Sequence, residues 1–295
     1  MTRYQFDKWG DLYANRASLL KSSAIRDLLS VTARADIISL AGGLPYTKEF
    51  KMNKMVSAAT DCMERQGNEA LQYGPSEGHT GLKKHVTKMM TQDDIVVNTE
   101  DLIITDGSQQ ALDLIGKIFI DPGDHIIVEA PSYVGALDAF IGYEPKIVAI
   151  PLDDQGVRVD LLEKQLKELK KEGIRPKFMY VVPNFHNPAG ITMSGPRRKR
   201  LIELSAEYDL LLVEDNPYGR LRFEGENLPS LRALDDKVVY LSTFSKIFSP
   251  GIRLGWVVAP HPILEKIIFA KQSADLCSSS FTQRVVEEFL EANDL

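Results

Sequence analysis

An α/β fold with a mostly parallel central sheet sandwiched by helices is what this 295-residue chain predicts. Two observations carry that expectation. Short runs rich in Val, Ile and Leu recur without polar alternation from Leu102 onward, as in strands buried on both faces. Between most of them lie amphipathic stretches of helical period. The chain is also long enough to bury a substantial core, with 44% hydrophobic and 26% charged residues.

Taken in order, residues 1–50 read as an N-terminal arm and helix. A polar start leads into a helix around 23–32, where Ile25, Leu28 and Leu29 share one face. The segment AGGLPY, Ala41 to Tyr46, breaks it with two glycines and a proline. A helix over 52–66 follows, then a loop, LQYGPSEGHTGL, that opens another helix. The apolar runs then come at 102–105, 125–130, 146–150, 178–183, 210–215, 238–242 and 255–259. Helical stretches at 108–119, 160–171 and 196–208 separate several of them, and helices at 263–275 and 281–292 close the sequence. Neither a linker nor an internal repeat interrupts residues 51–295, which read as one large domain.

The charge balance excludes some functions. A net charge of −6 argues against a nucleic-acid surface, and the cluster Arg197 to Arg200 reads as the solvated face of a helix. The two cysteines have neither metal-ligand spacing nor a disulfide framework, which suits a reducing, cytoplasmic setting. No run is long and apolar enough to span a bilayer, and the N-terminus lacks the apolar core of a secretion signal. The five histidines form no HExxH pair, so no metal is expected, and His125 and His186 read as structural.

The polar residues that follow the strand runs carry the chemistry, because ligands gather beyond the carboxyl ends of strands in open α/β sheets. In TDGSQQAL, Gly107, Ser108 and Gln109 turn a strand into a helix whose free N–H groups can hold a phosphate. Taken alone, Ser108 reads as a plain helix cap. In PSY, Tyr133 stands where an aromatic could stack on a flat ring. Pro188 holds Asn187 extended, leaving its amide free for a ligand oxygen. Asp215 ends a strand in LLLVEDNPYGRL, three residues before Tyr218, and a buried acid needs a cation such as a protonated pyridine. The run STFSKIFSPGIRLGW sets Lys246 among hydroxyls and apolar residues, where poor solvation favours the neutral amine that attacks carbonyls. Thr243, Ser245 and Arg253 beside it are phosphate donors. Together these residues point to pyridoxal phosphate (PLP).

Their joint order resembles the fold-type-I PLP-dependent aminotransferases of class I/II, closest to the branch of 2-aminoadipate, kynurenine and aromatic aminotransferases. AIRDLLSVTARADIISLAGGLP, GSQQALDL, PNFHNP and TFSKIFSPGIRLGW are similar to stretches of that branch, and the likeness runs from about Ser23 to the end. The resemblance implies that Lys246 holds the cofactor as a Schiff base and moves the substrate α-proton. It assigns Asp215 to the pyridine nitrogen, Asn187 and Tyr218 to the 3′-oxygen, and Tyr133 to the ring face. Ser108, Gln109, Thr243 and Arg253 take the phosphate, with threonine at 243 where the family usually has serine. Tyr73 matches a tyrosine that reaches the phosphate of a neighbouring subunit, implying a homodimer. Gly43 and Arg26, with Asn187, fall at substrate-binding positions. The implied reaction is amino-group transfer from an amino acid to a 2-oxo acid such as 2-oxoglutarate.

Three alternatives have sequence features to weigh. GPSEG, Gly74 to Gly78, fits a hydrolase nucleophile elbow, but GNEALQY before it is too polar for a central strand. A regulatory domain of the MocR type would bind PLP without turnover, but no basic helix-turn-helix segment precedes the domain. β-Elimination uses the same cofactor grip. Relatives continue into a smaller C-terminal domain that carries an arginine for the substrate α-carboxylate. No residue here matches it, Arg284 included, so the small domain is expected to be absent or only begun and the sequence to be a fragment.

Overall fold

The computed structural model describes residues 9–20, 36–38 and 43–293. Arg26 and the helix expected around 23–32 lie outside them. Among the described residues, eight strands form one sheet: β1 (Leu102–Thr105), β2 (His125–Ala130), β3 (Lys146–Asp153), β4 (Gly156–Val157), β5 (Met179–Val181), β6 (Leu212–Asp215), β7 (Val239–Thr243) and β8 (Gly255–Val258). Their spatial order is β1-β8-β7-β6-β5-β2-β3-β4. Each apolar run noted in the sequence supplies one strand; the two-residue β4 has too short a signal to be read.

Strands β3, β2, β5, β6 and β7 pair in parallel, as buried Val/Ile/Leu runs lead one to expect. β8 departs from that pattern and runs antiparallel to both its neighbours, β7 and β1. The reason lies in the connection. Only residues 244–254 join β7 to β8, fewer than a parallel crossover with its helix requires. β3 departs in another way: Lys146, Ile147 and Ala149 are exposed, because only the short β4 covers its outer side.

Side chains alternate between the two faces of the sheet. Ile126, Val128, Tyr180 and Val213 meet one helical layer, formed by α3 (Gly107–Phe119), α4 (Val134–Ile141) and α9 (His261–Ala274). Ile127, Met179, Val181 and Leu212 meet the other, where α5 (Val159–Lys171) sets Leu162, Leu166 and Leu169, and α6 (Gly195–Tyr208) sets Leu201 and Leu204. Farther along that second face, α2 (Thr80–Gln92) packs Leu82, Val86 and Met90 on Leu102, Ile104 and Trp256. Each such Leu or Ile contributes about 1.5–3 kcal/mol on burial. Beyond α2, α1 (Met52–Ala70) packs Ala58 and Cys62 against Val285 and Phe289 of α10 (Ser280–Ala292). Among the described residues, two single-turn helices complete the set, α7 (Leu231–Leu234) and α8 (Phe244–Ile247). No described helix is long and apolar enough to cross a membrane.

Candidate active site

The carboxyl ends of the parallel strands deliver their next residues to one edge of the sheet. β1 ends at Thr105, β6 at Asp215 and β7 at Thr243. Because β8 runs backwards, its first residue, Gly255, lies in register with both Thr105 and Thr243. A cleft of about 540 Å³ opens there. Ser108, Gln109, Tyr133, Asn187, Asp215, Tyr218, Thr243, Ser245, Lys246 and Arg253 all line it, together with Val182, Pro217 and Pro250.

At one end of the cleft the chain crowds. Gly107, with φ +73°, starts α3, and a Cβ there would lie 2.6 Å from Arg253 Nη2. A Cβ on Gly255 would lie 2.8 Å from the Ser108 nitrogen, so glycine lets β8 pass against the α3 turn. Asp106 occupies the cap position without a side-chain cap bond, and Ser108 is the second helical residue. The plain capping role for Ser108 therefore does not hold, and Ser108 and Gln109, in the first turn of α3, line the cleft at the positive end of the helix dipole. Arg253 takes a left-handed backbone, φ +54°, and its guanidinium spans Ser245 Oγ, Pro250 O and Asp106 O, each at 3.3 Å. The Thr243 hydroxyl donates to Leu254 O at 3.0 Å and accepts the Ser245 N–H at 3.1 Å, fastening the start of α8. Gln109 Nε2 donates to Gly135 O at 2.7 Å and ties α3 to α4.

Lys246 sits on α8 with Nζ 5.8 Å from the centre of the Tyr218 ring. Burial holds its amine below the usual lysine range. Asn187 Nδ2 donates to Tyr218 Oη at 3.2 Å, joining the two residues expected at one cofactor oxygen. Asp215 is 2% exposed, and burial pushes its carboxyl up to about 7, against a hydrogen bond from Tyr180 that acts to lower it. Tyr180 Oη donates to Oδ2 at 2.9 Å, while Oδ1 is buried without a partner. Tyr133 precedes α4; burial pushes its phenol up to about 12, so it stays protonated.

Tyr73 and Gly43 lie away from this cleft, and Tyr73 is expected at the phosphate of a neighbouring subunit rather than at its own. Tyr73 is 78% exposed and lines a separate surface hollow with His79 and Arg284. Gly43, with φ +54°, is exposed and is not among the residues lining the cleft. Ser76 has no strand before it, and its hydroxyl donates to Leu276 O at 2.7 Å, which removes the nucleophile-elbow alternative. Arg284 hydrogen-bonds Gln66. The described residues contain no His, Cys, Asp and Glu group that could hold a metal. Tyr180 is the functional neighbour that sequence reasoning missed. Its signal was a lone phenol inside an otherwise apolar buried run, a group that must find a polar partner.

These residues fit pyridoxal phosphate. The orphaned Asp215 Oδ1 would accept the N–H of a protonated pyridine. The Gly107 turn with Ser245 and Arg253 would take a phosphate, and Lys246 offers a poorly solvated amine to an aldehyde.

The comparisons with known proteins agree. The sequence profile of aminotransferase class I and II matches residues 35–295. The chain is 47% identical over 286 residues to aromatic-amino-acid aminotransferase 1 of Thermococcus litoralis, covering 96% of this chain and 69% of the relative. It is 40% identical over 287 residues to the 2-aminoadipate transaminase of Thermus thermophilus, covering 96% of this chain and 70% of that one. Its fold superposes on the kynurenine aminotransferase of Pyrococcus horikoshii, crystallised in complex with PMP, with a TM-score of 0.91 and 45% identity over 97% of this chain and 72% of that chain. The chain belongs to the class I and II aminotransferases, and its cofactor is pyridoxal phosphate.

Proposed function

We propose that this PLP-dependent aminotransferase carries its chemistry on Lys246, Asp215 and Tyr218, and accepts amino acids with acidic or aromatic side chains, with 2-oxoglutarate as the partner oxo acid. The observation that carries the site assignment is the pairing, in one cleft, of a poorly solvated lysine with a buried carboxylate that keeps one oxygen free.

When bound, pyridoxal phosphate supplies an aldehyde carbon that captures the amino group and a protonated ring that draws electrons from the α-carbon. Ser108, Gln109, Thr243, Ser245 and Arg253 anchor the phosphate, with Arg253 supplying the charge. Thr243 acts chiefly by holding Ser245 in place, since its own proton is engaged by Leu254 O. Tyr133 would cover one ring face, and Asn187 and Tyr218, hydrogen-bonded to each other, would hold the 3′-oxygen. Lys246 Nζ, its charge disfavoured by burial, would take the substrate α-proton as general base and give it back. Asp215 Oδ1 keeps the ring nitrogen protonated.

The names of the relatives support the side-chain preference, and Arg26 is the proposed contact for an acidic side chain. Gly43 lies near the substrate carboxylate in this proposal. A homodimer is supported by an apolar stripe on α1, where Met52, Val56 and Met63 are 61%, 62% and 45% exposed at helical spacing. Leu71 and Tyr73, 72% and 78% exposed, continue it. Free Cys62 and Cys277 suit a cytoplasmic setting.

Borohydride reduction of the PLP-loaded protein followed by peptide mapping tests the site: the pyridoxyl group is expected on Lys246. A label on another lysine overturns the assignment. Steady-state rates with glutamate, 2-aminoadipate, phenylalanine and kynurenine test the substrate range, and Arg26→Ala is expected to weaken the acidic donors more than the aromatic ones.

A further inference from the structure

Tyr180 has no role in the proposed chemistry, yet the fold places it against the acid that the chemistry depends on. On β5 it stands beside Val213 of β6, and Asp215 lies two residues farther along β6 on the same face. Tyr180 is wholly buried, and its ring packs edge-on against Phe140 with centroids 5.8 Å apart. Its hydroxyl meets Asp215 Oδ2 at 2.9 Å and is the one hydrogen-bond donor to that carboxylate among the described residues. The other oxygen, Oδ1, is buried without a partner, and Asp215 lines the cleft.

We propose that Tyr180 is a positioning residue that fixes the Asp215 carboxylate with Oδ1 toward the cleft and keeps it ionised, so that the cofactor ring nitrogen retains its proton. The inference rests on the assignment of Asp215 to that nitrogen.

A buried carboxylate facing a pyridine can share one proton in two ways. The proton stays on the ring, leaving a carboxylate, or moves to the carboxyl, leaving a neutral ring that draws electrons poorly. Burial, the largest influence on Asp215, favours the second state, although Lys246 and Arg253 bring positive charge to the same cleft. Burial disfavours the anion, and the acid Glu214 lies beside it on the same strand. Tyr133 and Tyr218 face it from the cleft as neutral phenols, and Glu129 lies near Tyr180 itself. Tyr180 opposes this bias, because a hydroxyl that donates to a carboxylate stabilises the charged form. Its own phenol is held well above the usual range by burial and by Asp215, so it remains a donor at any working pH. The same bond stops the carboxylate from rotating, which would present both oxygens by turns.

Tyr180→Phe removes the hydroxyl and keeps the ring that packs on Phe140. Three proteins are compared: wild type, Tyr180→Phe and Asp215→Asn. In the apoproteins, ¹³C NMR of labelled aspartate carboxyls identifies Asp215 as the signal lost in Asp215→Asn. Loss of a hydrogen bond to a charged group is expected to raise its midpoint by about one to two pH units in Tyr180→Phe. In the proteins loaded with ring-¹⁵N pyridoxal phosphate, the nitrogen signal is expected at the protonated position in wild type. It should shift toward the neutral-pyridine position in Tyr180→Phe and reach it in Asp215→Asn. An unchanged Asp215 midpoint together with an unchanged nitrogen signal in Tyr180→Phe overturns the role of Tyr180. A protonated ring signal that survives Asp215→Asn instead overturns the assignment of Asp215, whatever Tyr180 does.

Discussion

Asp215 shows what its proposed catalytic role costs a fold. Its carboxyl titrates at about 7 in the folded chain against 3.8 for an ordinary aspartate. The folded state therefore binds a proton that the unfolded state releases, and stability declines as pH rises from about 4 through 7. Glu214 beside it, also pushed up to about 7 by burial, adds to the same trend. Asp215→Asn removes one of the two charges while leaving an oxygen to accept the Tyr180 bond. The variant apoprotein is expected to melt higher than wild type at pH 8, by a margin on the order of a few kcal/mol at most, and to gain little at pH 4. Thermal unfolding of both apoproteins at the two pH values checks this. With cofactor bound, the same variant is expected to lose about 10²–10³ in the rate of α-proton removal, read by deuterium exchange, while losing far less in PLP affinity. Near-normal exchange would contradict the role given to Asp215. At this scale the sequence was legible wherever a residue type is conspicuous: a lysine among hydroxyls, an acid closing an apolar strand, an asparagine before a proline. It marked Tyr180 only as a phenol in need of a partner, because a tyrosine in a buried strand reads first as apolar surface and only its neighbour across the sheet shows where the hydroxyl points.

The elements were read more easily than their directions. Unalternated apolar runs mark buried strands well, since both faces are covered by helices. A run carries no sign of whether it enters the sheet forwards or backwards, which is why the reversal of β8 appeared only in the structure. That reversal presses Gly255 against the α3 turn and brings Arg253 over Gly107. Gly107→Ala must then both adopt a left-handed backbone, costing about 1–2 kcal/mol, and displace the guanidinium. It is expected to weaken PLP binding by roughly tenfold or more, measured by titrating the apoprotein. Gly123→Ala is the control. Its φ of +89° imposes a comparable strain, but nothing lies within 4 Å of the added carbon, so stability should fall while cofactor affinity stays. Equal losses of affinity in both variants would show that the α3 turn has no special part in holding the phosphate.

For the molecule as a whole, the α1 stripe separates a free chain from an associated one. Val56→Asp with Met63→Asp places two charges on a face that the proposed homodimer would bury. Sedimentation velocity at micromolar concentration is expected to show a dimer for wild type and a monomer for the double variant. A wild-type monomer, or a double variant that stays dimeric, removes α1 from the interface. The sequence indicated association only through the resemblance at Tyr73; the stripe itself emerges once the inner face of α1 is known to be taken by α10. Residues 244–254 carry a different consequence. Surface connections between strands ordinarily tolerate inserted residues, because lengthening a loop costs little. This one is pinned at both feet by the pairing of Thr243 with Gly255, and it carries both the amine proposed to react and the guanidinium proposed to hold the phosphate. Its length is thus a ruler: one residue gained or lost between Lys246 and Arg253 would leave the sheet untouched and still throw the aldehyde end of the cofactor out of step with its phosphate end. Seven residues of spacing should therefore be among the least elastic stretches of the chain, even though they lie outside every strand.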